Sequence, residues 1–248
     1  MAKERLDVLT VARGLVDSRE QAQRLILAGD VFVNGHPLCK AGMKVAGDAD
    51  ITVRARPRYV GRGGEKLEGA FAAFPSWQVK GLQGLDIGAS TGGFTDCLLA
   101  HGAAHVTAVD VGRGQLHARL RADPRVTVME RFNVRHLSAS DLAYAPSFAV
   151  FDVSFISLKL VLPPVVDVLA PESEIVTLIK PQFEAGRKDV GRGGVVRDSE
   201  TREEVVHQIR AFGENKLSLA WLGCVESPLK GPAGNVEFLA WWRKADHP

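Results

Sequence analysis

The sequence predicts an α/β fold, a mostly parallel sheet wrapped by helices and closed by an antiparallel hairpin, with a small basic α+β module ahead of it. Three observations predict it. From residue 65 onward, short apolar runs suited to buried strands alternate with helical periodicity, as a parallel sheet with crossover helices requires. The first of those strands, Gly84-Leu-Asp-Ile87, runs straight into the glycine-rich turn Gly88-Ala-Ser-Thr-Gly92-Gly93, and a helix follows through Cys97-Leu-Leu-Ala100 to Gly102. Residues 1–66 carry 12 Lys and Arg against 8 Asp and Glu, whereas the remainder is slightly acidic. That asymmetry is what a polyanion-binding attachment on a near-neutral body looks like.

The totals bound the answer. A chain of 248 residues accommodates one large domain and one small one, with a core that needs no staples. Cys39, Cys97 and Cys224 lie far apart with no C-x-x-C pair, and none of the seven histidines forms an H-E-x-x-H, so neither a disulfide framework nor a structural metal is expected. The N-terminus leads into a charged amphipathic helix, and no segment offers the ~20 uninterrupted apolar residues that span a bilayer. A reducing, cytoplasmic setting without a membrane partner follows as the expectation.

Leu6, Leu9, Ala12 and Val16 fall near helical spacing, and Ser18 with Gln21 three residues on opens a second helix that Gly29 stops. Val31-Phe-Val33, the turn pair Asn34-Gly35, Val45 and Ile51-Thr-Val53 then form a small sheet, closing a first domain over residues 1–54. Pro57 and three glycines break any periodicity over 54–64, so 55–63 reads as a basic linker, and the second domain occupies 64–248. Its elements follow as a helix from Glu65 to Phe74, a strand His105–Asp110, strands Val126–Met129 and Phe148–Asp152, and a helix Leu158–Leu169 interrupted at Pro163-Pro164. A strand Ile175–Lys180, a helix Ser199–Phe212 capped by Ser199, and a closing pair of strands, Leu217–Val225 and Val236–Trp242, complete it.

Glycines in the turn after Ile87 permit positive φ and let a ligand lie against bare backbone, with the helix start favouring a polar or anionic group. The same glycines also serve close packing of helix on sheet. A dinucleotide site would read G-x-G-x-x-G, which this turn does not. Asp110 ends the next strand, where a carboxylate suits two ribose hydroxyls. Ligands in such sheets lie beyond the carboxyl ends of the strands, and Asp110, Asp152, Lys180 and Glu237 all point there from apolar surroundings.

The run Asp86-x-Gly88-x-x-x-Gly92-Gly93 resembles the first motif of class I S-adenosylmethionine-dependent methyltransferases, a Rossmann-like fold with a seven-stranded sheet. That resemblance implies S-adenosylmethionine as cofactor, held by Asp86, Gly88, Ser90, Thr91, Gly92, Gly93, Phe94, Asp110, Asn133 and Asp152, with Asn133 on the adenine. Arg5-Leu-Asp7, Ser18-Arg19-x-x-Ala22, Gly29-Asp-Val31 and Val33-Asn-Gly35 together resemble the small RNA-binding domain named after ribosomal protein S four. By that likeness Arg5, Arg19, Arg24, Lys40 and Lys44 track RNA phosphates, and Arg58 and Arg62 extend the path.

Lys66, Asp152, Lys180 and Glu237 fall in the order of the Lys-Asp-Lys-Glu tetrad of FtsJ-type ribose 2′-O-methyltransferases. Their contexts, Arg62-Gly-Gly-Glu-Lys66-Leu, Phe151-Asp-Val-Ser-Phe-Ile-Ser-Leu, Ile179-Lys-Pro-Gln-Phe-Glu184 and Gly234-Asn-Val-Glu237-Phe-Leu, resemble those of the TlyA or hemolysin A-like group. The resemblance implies methyl transfer to a ribose 2′-hydroxyl of ribosomal RNA, on cytidine, with ribosomal subunits as partners. Asp152 would be shared between tetrad and cofactor, and Lys66 and Glu237 would orient substrate and Lys180.

Such a reaction draws most of its acceleration from alignment, for which ~7–11 kcal/mol is available, and a general base adds ~10²–10⁴-fold. Lys180 is assigned that role. A lysine in water costs about 4–5 kcal/mol to deprotonate at pH 7, so a charged Lys180 that orients the hydroxyl stands beside it as the alternative. The loop Gly186–Gly194 is basic and covers bound RNA or is a mobile surface loop. Three competing functions are a non-catalytic RNA-binding assembly factor, a Rossmann oxidoreductase and an exported pore-former, the last without a supporting feature in the chain.

Overall fold

A computed structural model describes residues 3–54, 58–186 and 188–245. The chain divides into two compact units, Met1–Arg56 and Pro57–Pro248.

The first unit runs β1 (Lys3–Arg5), α1 (Leu6–Ala12), α2 (Arg19–Leu27), β2 (Val31–Val33), β3 (His36–Pro37), β4 (Lys44–Ala46) and β5 (Ile51–Val53). Two small sheets, β1-β4 and β3-β2-β5, replace the single sheet expected from sequence. The Ser18 hydroxyl accepts the Gln21 N–H and starts α2, while Asn34 and Gly35, both at positive φ, turn β2 into β3. Leu6, Leu9, Leu25, Ile26, Val31 and Ile51 make its core. Asp7 is fully buried beside them. Arg5 donates to both of its oxygens, and Arg19 and Gln23 each donate to Oδ2, all at 2.9 Å. These bonds, that from Arg5 first, hold the Asp7 carboxyl well below its ordinary range despite its burial.

The second unit runs α3 (Gly63–Ala73), β6 (Gln83–Ile87), α4 (Gly93–Ala100), β7 (His105–Asp110), α5 (Ala118–Arg121), β8 (Val126–Glu130) and β9 (Phe148–Phe151). It continues with α6 (Leu158–Val168), β10 (Glu174–Ile179), α7 (Pro181–Glu184), α8 (Ser199–Leu217), β11 (Leu219–Glu226) and β12 (Phe238–Lys244). The sheet order is β11-β12-β10-β9-β6-β7-β8, with only β12 antiparallel to its two neighbours. Side chains alternate across the strands into two cores. Phe148, Val150, Leu178 and Leu239 pack with α3 and α4 on one face, and Leu85, Ile87, Phe151 and Trp242 pack with α6 and α8 on the other.

Register, more than any single contact, builds the functional edge. Ile87 pairs with Val109 on one side and Phe151 on the other, so Gly88, Asp110 and Asp152 leave the sheet together. Ile179 pairs with Phe238 in the antiparallel ladder, which sets Lys180 beside Glu237.

Four expectations change. Of the segment read as a linker, residues 55–57 lie outside the described residues, and 58–63 belong to the second unit. Tyr59 is buried with its ring against Gly64, where any Cβ would collide, and the Val60 N–H donates to Asp96 Oδ2 at 2.9 Å. Pro163 and Pro164 lie inside a continuous α6. The carbonyls deprived of their usual helical partners belong to Lys159 and Leu160, half-buried and exposed residues, so the helix tolerates both prolines at its outer side. The cap of α8 is Asp198, which accepts the Thr201 N–H, and not Ser199. That helix runs on to Leu217 because Gly213 is a packing residue, with its bare Cα facing the Trp242 ring. No helix among the described residues is long and apolar enough to cross a membrane.

Candidate active site

The edge where β6, β7, β8 and β9 end encloses a cavity of about 380 Å³, walled by Gly88, Ser90, Asp110, Asn133, Asp152 and Phe155 among others. The glycine turn forms its floor at Gly88, whose φ of 84° is left-handed and whose missing Cβ would stand 2.7 Å from the Asp152 carbonyl oxygen. Asp110 accepts the Ser90 N–H through Oδ2 at 2.8 Å and the Gly112 N–H through Oδ1 at 2.7 Å. A carboxylate has about four lone-pair sites, so two remain for a ligand's hydroxyls. Asn133 Oδ1 accepts the Arg135 N–H, which leaves its amide N–H groups as donors on the wall.

Five of the residues expected to hold the cofactor lie off this wall. Thr91 is exposed, and its carbonyl accepts the His117 N–H. Gly92 faces Leu116 and Leu120, Gly93 lies against the backbone of Gly61 and Gly64, and Phe94 is in the core. In these glycines the absent side chain admits protein, not ligand. Asp86 is buried beneath the turn, where its Oδ2 accepts the N–H and hydroxyl of Thr95 at 2.9 and 2.6 Å and so fixes the start of α4. Its Oδ1 has no hydrogen-bond partner among the described residues. Burial, against the lowering effect of Thr95 and with added repulsion from Asp152, pushes this carboxyl up to about 7.

Lys66, Asp152, Lys180 and Glu237 form two ion pairs. Lys180 Nζ lies 2.7 Å from Asp152 Oδ1, while its directed hydrogen bond goes to Ser154 Oγ at 2.9 Å. Lys66 Nζ, from the second turn of α3, donates to Glu237 Oε2 at 2.5 Å. Both lysines are buried. Gln182 Nε2 donates to the other Glu237 oxygen at 3.2 Å, so α7, which begins right after Lys180, touches the second pair as well as the first. The approach of α3 is equally close, since a Cβ on Gly63 would lie 3.5 Å from Asp152 Oδ2.

Ser154, Phe155 and Gln182 were not identified from sequence as site residues. Ser154 and Gln182 each stand two positions beyond an assigned charge, and that spacing was the available signal. Phe155 is 90% exposed at φ 63°, an unusual conformation for a bulky residue, on the cavity wall.

Of the arginines and lysines expected on RNA, Arg24, Lys40 and Lys44 are exposed on the first unit. Arg5 and Arg19 are exposed there too, but they neutralise Asp7. On the second unit Arg58 pairs with Glu68 at 2.9 Å, and Arg62 donates to the Lys230 carbonyl at 3.2 Å. Glu68, Cys97 and His101 bring three potential metal-ligand atoms within 4.8 Å of one another. The Glu68 oxygen in that group is already engaged by Arg58, Tyr59 and His101.

Comparison with known proteins agrees with this layout. The pattern of the FtsJ-like methyltransferases matches residues 59–244, and that of the S4 domain matches residues 4–51. The Bacillus subtilis protein named "Putative rRNA methyltransferase YqxC" is 49% identical over 239 residues, covering 96% of this chain and 84% of that one. The Mycobacterium tuberculosis protein named "16S/23S rRNA (cytidine-2′-O)-methyltransferase TlyA" is 45% identical over 245 residues, covering 97% and 90%. A solved structure described as "Putative hemolysin from Streptococcus thermophilus" superposes with a TM-score of 0.75 at 45% identity, covering 100% of this chain and 90% of that one. With one pattern spanning nearly all of the second unit and the other most of the first, the chain belongs to the FtsJ-like methyltransferase family and carries an S4 domain ahead of the methyltransferase domain.

Proposed function

We propose that the protein transfers a methyl group from S-adenosylmethionine to the ribose 2′-hydroxyl of a cytidine in ribosomal RNA, in the cytoplasm. The observation that carries this reading is the placement of Lys180 Nζ, buried at the strand end between Asp152 Oδ1 and Ser154 Oγ, with both partners on the cavity wall. The cytidine-2′-O naming of the 45% identical relative supports the choice of atom and base.

The cavity fits the cofactor by the chemistry of its wall. Asp110 suits the ribose hydroxyls, Asn133 offers amide donors to a purine edge between Val111 and Phe132, and Asp152 suits the cationic amino-acid end. S-adenosylmethionine, when bound, supplies an activated methyl on a sulfonium. The protein's own residues then align the acceptor. With one N–H on Ser154 Oγ and its charge beside Asp152, Lys180 keeps N–H donors for the acceptor: one holds the 2′-oxygen and stabilises the negative charge that grows as the hydroxyl proton passes to solvent and the methyl leaves the sulfonium for the oxygen. Asp152 and Ser154 fix the direction of that N–H. Lys66 and Gln182 both bond to Glu237, which ties α3 to α7 next to Lys180. Phe155 offers its exposed ring to the base of the target nucleotide.

Of the basic residues, Arg24, Lys40, Lys44 and Arg62 would neutralise RNA phosphates, while Arg5 and Arg19 stabilise the first unit as partners of Asp7. The proposal is tested by supplying labelled S-adenosylmethionine with naked RNA, separated subunits and whole ribosomes, then mapping the modified atom. Label on a cytidine 2′-oxygen is expected. Label only on base nitrogens or carbons, or none despite cofactor binding, would reject it.

A further inference from the structure

We propose that Glu184 is a positioning residue for this reaction: it clamps the loop 153–157 so that Phe155 stands at the cavity wall as a platform for the target base. The inference rests on the reading of the site as a nucleotide 2′-O-methyltransferase.

The loop is gripped along its length by one short segment. Lys180 donates to Ser154 at 2.9 Å, the Phe183 ring lies 5.0 Å from the Phe155 ring, and Glu184 accepts the Ser157 hydroxyl at 2.5 Å and the Leu158 N–H at 2.7 Å. Lys180 is the residue that opens α7 and Phe183 and Glu184 close it, so the start, middle and end of the loop all meet one five-residue segment. Glu184 also acts as a cap in trans for α6. It takes the first helical N–H, while Ser157, the residue before the helix, takes the N–H of Lys159. An anion at that terminus is favoured by the helix dipole. Burial raises the Glu184 carboxyl above its ordinary range, and the bonds from Ser157 and Leu158 work against that rise.

The loop needs such a clamp. Phe155 holds a left-handed backbone conformation that costs a bulky side chain free energy, and with the residue 90% exposed, burial does not offset the cost. A strained and exposed aromatic persists only where its surroundings impose it. Ser154, Phe155 and Ile156 line the cavity, while the hydrogen bonds of Glu184 go to Ser157 and Leu158 and to none of Gly88, Asp110 and Asn133.

The test is a cycle of Glu184→Ala, Glu184→Gln, Phe155→Ala and the double variant E184A/F155A. The readouts are methyl-transfer kinetics on ribosomal subunits, S-adenosylmethionine affinity, and hydrogen exchange over residues 153–159. E184A should raise the KM for RNA roughly tenfold or more, the size of a lost hydrogen-bond pair to a charged group. Cofactor affinity should stay within about twofold, since Glu184 hydrogen-bonds none of Asp110, Asn133 and Asp152, the residues assigned to the cofactor. E184Q, which keeps an acceptor for the Leu158 N–H, should recover most of the loss. In the F155A background E184A should add less than about twofold, because two changes acting through one element are not additive. Exchange over 153–159 should accelerate in E184A whether or not the protein is active.

Multiplying losses in the double variant, a fall in cofactor affinity that tracks the fall in activity, or unchanged exchange would each overturn the proposal. If E184A does not fold, Ser157→Ala takes its place in the same cycle. A wild type inactive on every RNA would reject the methyltransferase reading, and the exchange result would still decide the clamp.

Discussion

Glu237→Gln is the most informative single change to the second ion pair. Lys66 Nζ and Glu237 Oε2 are 2.5 Å apart, with side chains 8% and 1% exposed. Neutralising the carboxylate leaves an ammonium where water cannot reach it, and breaking a buried pair in this way costs about 3–5 kcal/mol. Gln182 still finds an amide oxygen at position 237, which favours the lower end, about 3 kcal/mol. For a domain of this size each kcal/mol moves Tm by about 2–4 °C, so Tm of the methyltransferase domain should fall by about 6–12 °C. Replacing both partners, Lys66→Met with Glu237→Met, removes the buried charges together and should restore most of that stability without restoring methyl transfer. Thermal unfolding of the single and double variants, read beside their methyl-transfer rates, measures the coupling. A single variant within about 1 kcal/mol of wild type, or a double variant as unstable as the sum of the singles, would refute the reasoning, since independent surface charges behave that way.

Three further outcomes are expected. Asp86 has its folded value near 7, above an unfolded value of about 3.9, so its contribution to stability is fully present below pH ~4 and is lost as pH rises through 7. Asp86→Asn should flatten that part of a stability–pH curve, and an unchanged slope would sink the assignment. Gly88→Ala puts a Cβ 2.7 Å from the Asp152 carbonyl at a left-handed φ, and should cost about 1–3 kcal/mol and weaken cofactor binding, both visible by calorimetry. Lys180→Arg keeps donors in the place where the account needs only a donor. Activity within roughly tenfold of wild type in a single-turnover assay is expected, whereas a larger loss would contradict the account, in which no general base is required at this position.

Much of the fold was legible because register and alternation follow local rules. The strand His105–Asp110 matches its expected bounds, and the strand-end charges could be placed on one edge before any contact was known. The glycine turn was legible as a turn, but its use was not. Whether a missing Cβ admits a ligand or a neighbouring helix depends on what lies opposite, and for Gly92 and Gly93 that is Leu120 and the Gly61–Gly64 backbone, distant in sequence. Composition misled at 58–63. Pro57 and the glycines suggest an open linker, yet Gly64 serves as the seat for the Tyr59 ring, and Tyr59 is the one large apolar clue that the segment is packed. Gln182, Ser154 and Glu184 stayed hidden inside motifs whose charged members drew the assignment, because hydrogen bonds across 26 or more residues leave no periodic trace.

The central claim, that a ribose oxygen is brought to an activated methyl beside Lys180, is tested most directly by labelled methyl transfer to ribosomal subunits with wild type and Lys180→Ala side by side. Nuclease mapping should find the label of the wild-type reaction on a cytidine 2′-oxygen, and Lys180→Ala should bind S-adenosylmethionine yet transfer nothing. Transfer by Lys180→Ala at the wild-type rate, or label on any other atom, would contradict the account.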